Sequence, residues 1–77
     1  MKDEIGKNVY RNLLYFYENK IPVHFKTFKN SWHNGIIIDL NEIELTLVLR
    51  EFVQGEIPFL LEDINPSKIT SYREEIK

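Results

Sequence analysis

Along the first twenty positions, apolar residues recur at helical spacing. Ile5, Val9, Leu13 and Phe16 form one stripe, and Tyr10, Leu14 and Tyr17 form a second beside it. Together the stripes cover about half of the circumference, wider than the roughly 100° arc a surface helix needs. The pattern predicts a helix over Glu4–Asn19, with Asp3 as N-cap at the positive end of the dipole and Lys20 in the last turn. Pro22 pushes Ile21 out of helical geometry and ends it.

From Pro22 onward the period becomes two. Val23, Phe25 and Thr27 share one face of a first strand, and His24, Lys26 and Phe28 the other. A turn at Lys29-Asn30-Ser31 leads into a second strand, Trp32–Leu40, with Ile36, Ile38 and Leu40 on one face. Gly35 within it marks a bend, a bulge or a close backbone approach. Asn41-Glu42 turns the chain into a third strand, Glu44–Phe52, with Leu45, Leu47 and Leu49 inward. Gly55 turns it into a fourth, Glu56–Leu61, with Ile57, Phe59 and Leu61 alternating. Pro58 cannot donate to a ladder, so this strand reads as an edge or bends there. Ile64-Asn65-Pro66-Ser67 reads as a tight turn before a short closing strand through Ile69, Ser71 and Tyr72. The fold class is mainly β: an N-terminal helix (1–20), a five-stranded, strongly bent barrel (21–73) and a charged tail (74–77).

Composition narrows the functional classes. Seventy-seven residues give a small core, and without cysteine there is neither a disulfide staple nor a thiolate metal site. Oligomerisation is the remaining staple, and the 43% hydrophobic content makes surplus apolar surface available for it. A net charge of −2 provides no whole-chain basic field for phosphates. No apolar run approaches the roughly 20 residues of a membrane span, and no signal peptide is visible. The expectation is a cytoplasmic protein.

Candidate chemistry is sparse. Lys26, Phe28, Lys29, Trp32 and His33 on the first hairpin read either as a stacking and phosphate-binding surface or as a solvated hairpin with Trp32 anchoring the core. Tyr10, Leu14 and Tyr17 read as an interface or as core. His24 and His33, even with Asp39 or Glu42, lack metal-ligand spacing, so no metal or cofactor is expected. Glu62-Asp63 reads as a solvated pair of acids, and with no phosphate loop or nucleophile elbow no enzymatic activity is expected.

The layout resembles the Sm-like proteins, related to SH3-like barrels, with an N-terminal helix and a bent five-stranded barrel. The local match runs over Val23-His24-Phe25-Lys26, Phe28-Lys29-Asn30 and Gly35-Ile36-Ile37-Ile38-Asp39-Leu40-Asn41. The resemblance implies a ring-type homo-oligomer joined through edge strands, acting on single-stranded RNA as a binder or chaperone. The family's Asp-x-apolar-x-Asn loop is not kept: its first position falls on Asn41 and its last on Leu45 or Glu44. Where the family has Arg-Gly after strand four, this chain has Glu62-Asp63. The usual uridine pocket is therefore expected to be missing, with Asn41, Ile43, Lys29 and His33 as RNA contacts on a loop rim. Subunit contacts are expected from Tyr10, Leu14, Tyr17, Ile57, Phe59 and Tyr72. The alternative is a non-catalytic protein-interaction or structural module that uses the barrel edges and the helix.

Overall fold

A computed structural model describes residues 2–71; Tyr72 and the charged tail lie outside the described residues. Helix α1 spans Lys2–Asn19. It therefore includes Asp3, which lies with Glu4 in the first turn and favours the dipole without capping it. The helix ends just before Lys20, which takes a left-handed φ of 56°. Its N–H donates to the Tyr17 carbonyl (3.4 Å) and the Ile21 N–H to that of Phe16 (3.0 Å). This is a Schellman ending, with lysine at the position glycine usually holds and Pro22 preventing continuation.

Five strands follow: β1 Val23–Thr27, β2 Trp32–Asn41, β3 Thr46–Glu51, β4 Gly55–Leu60 and β5 Ile64–Ser71. They form one antiparallel sheet in the order β4-β3-β2-β1-β5. Phe28, Lys29 and Asn30 make a three-residue hairpin loop between β1 and β2. Asn30 is at φ 67°, and the Thr27 N–H donates to the Ser31 carbonyl at 2.9 Å. Gly55 begins β4 at φ 87°. Strand β2 passes from one partner to the other at Gly35, which lies opposite both Val23 and Glu51. A Cβ there would sit 2.2 Å from the Arg50 carbonyl oxygen, so glycine is required by the close approach of β3.

The inner face of β2 differs from the expected one. Gly35 and Ile37 are buried whereas Ile36 and Ile38 are only half-buried, and Leu40 is buried again. A bulge between Ile37 and Asp39 shifts the alternation by one residue. On β3, Leu47 and Leu49 point inward as expected, but Leu45 belongs to the preceding turn, at φ 56°. The expected turn at Asn65-Pro66 lies inside β5 instead. Asn65 Oδ1 accepts hydrogen bonds from the Ser67 N–H (3.0 Å) and hydroxyl (2.8 Å), and the β1–β5 register shifts between Phe25 and Thr27. The reversal after β4 is a 3₁₀ turn, η1, at Leu61–Asp63.

The sheet is strongly curled. The two loops at either end of β2 both reach η1, the Phe28 N–H donating to the Asp63 carbonyl and the Leu61 N–H to that of Leu45, each at 2.9 Å. Barrel closure by pairing is not seen: no ladder joins β4 to β5 among the described residues, so both are edges. On β4 the ladder continues through Pro58 opposite Val48. Proline has no N–H to give, so this pair is a non-hydrogen-bonded one and the Pro58 nitrogen faces the open edge. Inside the curl, Phe25, Leu47, Leu49, Leu61 and Ile64 meet Val9 and Leu13 of α1, all fully buried.

Candidate functional site

One flank of α1, beside the residues that enter the core, borders two of the described depressions. Val9 and Leu13 point inward, while Tyr10, Leu14 and Tyr17 are half-buried along the flank of α1, packed against the core from one side. The β2–β3 loop closes on this flank. Its shape is held by the Glu44 N–H, which donates to Asn41 Oδ1 at 2.8 Å, and by the Leu45 carbonyl, bonded to Leu61. Leu45 then lies against Gly6, where a Cβ would meet its Cδ1 at 3.1 Å. Ile43 is left at the loop tip, 89% exposed.

Two depressions result. The first, about 520 Å³, is lined by Lys7, Tyr10, Arg11, Glu42, Ile43 and Leu45. The second, about 450 Å³, lies farther along the helix and includes Tyr17, Glu18, Lys20, Ile36, Ile38 and Arg50. Each is lined by apolar side chains together with charges of both signs. Burial foremost, then the carboxylates of Glu42 and Glu18 and the neighbouring Tyr17, holds the Tyr10 hydroxyl above the ordinary phenol value.

At the hairpin end the chemistry is different. His33 Nδ1 makes a close contact with Glu51 Oε2, and its ring sits 4.8 Å from that of Phe59. Phe59 in turn meets Phe25 edge-to-face at 5.3 Å. Thr27, Phe28, Lys29, His33, Phe59 and Asp63 border a smaller depression of about 290 Å³. Trp32 does not anchor the core: it is 48% exposed on the outer face, stacked on His24 at 4.4 Å, with Lys26 Nζ 5.6 Å from its ring centroid.

The expected RNA contacts therefore fall into two groups. Lys29 and His33 border the hairpin depression, and Asn41 and Ile43 belong to the β2–β3 loop; η1 with Glu62 and Asp63 bridges the two loops. Arg50 lies opposite Ile36 and pairs with Glu56 at 3.2 Å. Of the expected subunit contacts, Ile57 and Phe59 are half-buried on β4, Phe59 within the aromatic cluster, and Tyr72 lies outside the described residues. What the structure joins instead is Tyr10 with Ile43. It adds Lys7 and Arg11, whose i, i+4 spacing beside Tyr10 was the available signal.

No protein-family profile matches the chain, and no characterised protein or solved structure matches it. Among the described residues no group of three histidine or acidic side chains is arranged to hold a metal, and no helix is long and apolar enough to cross a membrane.

Proposed function

We propose that this chain is a non-catalytic assembly module that joins protein subunits through the open edges of its sheet and the flank of its helix. The observation that carries this reading is the pair of open edges, β4 and β5, at the two ends of one curled five-stranded sheet. Unpaired edge amides and carbonyls are templates for another strand. An Sm-like architecture agrees with the element order, and assembly is the part of that resemblance best served here. The phosphate-binding part is poorly served. Glu62 and Asp63 sit between the two loops that would meet RNA, and Arg50 is engaged by Glu56.

A second reading, single-stranded RNA on the outer face of the β1–β2 hairpin, rests on the exposed Trp32 with Lys26 beside it. Fluorescence anisotropy of short uridine-rich and adenine-rich RNAs separates the two. The assembly module gives no saturable binding at near-physiological salt. Saturable binding at that salt, lost in Trp32→Ala, overturns it in favour of RNA.

A further inference from the structure

We infer that the flank of α1 is a self-complementary dimerisation surface, on which two copies pair their helices antiparallel about a two-fold axis beside Leu14. This rests on the assembly reading and names the partner for the helix: a second copy of the chain. Three observations support it.

The spacing is the first. Tyr10, Leu14 and Tyr17 are separated by four and three residues, the d-a-d seam of a helix pair; all three are half-buried, and Tyr10 and Tyr17 each border an open depression. On the solvent side of that seam Arg11 and Glu18, both exposed, occupy equivalent positions seven residues apart.

Charge then selects the orientation. In a parallel pair Arg11 and Glu18 would face the Gly6 and Leu13 positions of the other helix, and neither would meet an opposite charge. Turned antiparallel about Leu14, each Arg11 faces Glu18 of the partner copy, so one two-fold operation forms two opposite-charge contacts.

The third observation concerns apolar surface. Ile43, 89% exposed, borders the first depression, and Ile36 and Ile38 line the second. A helix laid along the seam covers these residues at both ends of the pair, which a polyanion lying there would leave wet. Charges of both signs on the rims also suit a protein partner better than a phosphate backbone.

Sedimentation velocity of the full chain across protein concentration tests this at near-physiological salt. The wild type is expected to form a dimer. Arg11→Glu should weaken its dissociation constant by at least about tenfold, since like charges then meet twice. The double variant Arg11→Glu/Glu18→Arg should restore association, because the swap recreates both contacts. Both sites are exposed, and an unchanged circular-dichroism spectrum checks that each variant folds. A wild type that stays monomeric at every concentration overturns the dimer, as does an Arg11→Glu variant that associates like the wild type, or a double variant that fails to recover. Association indifferent to these charges removes the helix pair but leaves assembly through strand edges. A monomer that binds RNA removes both.

Discussion

Replacing Gly35 with alanine places the most severe test on the curled sheet. The added Cβ would lie 2.2 Å from the Arg50 carbonyl oxygen and 2.9 Å from both the Arg50 carbonyl carbon and Glu51 Cα. Ordinary carbon–oxygen contacts begin near about 3.3 Å, so β2 and β3 must part by about 1 Å. Every atom in the way is backbone, and no rotamer change relieves it. Overpacking of this kind costs about 1–3 kcal/mol, and two ladder hydrogen bonds stretched beyond useful length add about 1 kcal/mol each. The sum, about 3–5 kcal/mol, is a large share of the roughly 4–12 kcal/mol expected for a domain of this size. Thermal unfolding followed by circular dichroism should therefore show the melting temperature falling by at least about 12 °C, at about 4–8 °C per kcal/mol. Two other glycines serve as controls. Gly55→Ala meets open space and bears only the strain of φ 87°, about 1–2 kcal/mol. Gly6→Ala gains about 1 kcal/mol of helix propensity against a 3.1 Å contact with the flexible end of Leu45, and should stay within about 1 kcal/mol of wild type. A Gly35→Ala variant that melts with Gly6→Ala would refute the close approach of β3 to β2.

Two further predictions follow from the side chains. Glu51→Ala should destabilise by about 1–3 kcal/mol, more than a surface pair, because His33 and Glu51 are only 22% and 10% exposed; a thermal double-mutant cycle with His33→Ala that shows no coupling would contradict the contact. Tyr10 has its hydroxyl pKa raised on folding, so its contribution is intact below the unfolded value of about 10 and declines as pH rises through that value toward the folded one. Tyr10→Phe should therefore lose less stability than wild type in alkaline urea titrations, and parallel losses in the two proteins would count against burial of the hydroxyl.

The elements legible in the sequence are those governed by local chemistry. Pro22 ended the helix and the alternation of Val23, Phe25 and Thr27 set the inner face of β1, as observed. Pro58 marked an edge strand, which β4 is. Alternation failed where the ladder does. The bulge after Ile37 turns Ile36 and Ile38 away from the core and brings Leu40 back, a shift no simple count of alternate residues contains. Asn65-Pro66 carried true turn chemistry, but neighbouring pairing with β1 absorbs it as a kink within β5. Trp32 was open to a core reading because large aromatics favour cores; its exposure follows from sharing the outer face with His24 and Lys26. The helix flank was legible as a second apolar stripe. Its charged rim was not, because Glu42 and Ile43 reach Lys7 and Arg11 only once Leu45 packs on Gly6 and its carbonyl bonds to η1.

The central claim is that this fold joins protein chains rather than holding RNA, and one measurement addresses it most directly. Sedimentation velocity of the full chain, alone and with a fluorescein-labelled uridine-rich RNA at near-physiological salt, follows both species at once. The protein is expected to sediment as an assembly larger than its 9.3 kDa chain, with the RNA remaining free. A 9.3 kDa monomer at every concentration, carrying the RNA with it, would contradict the account.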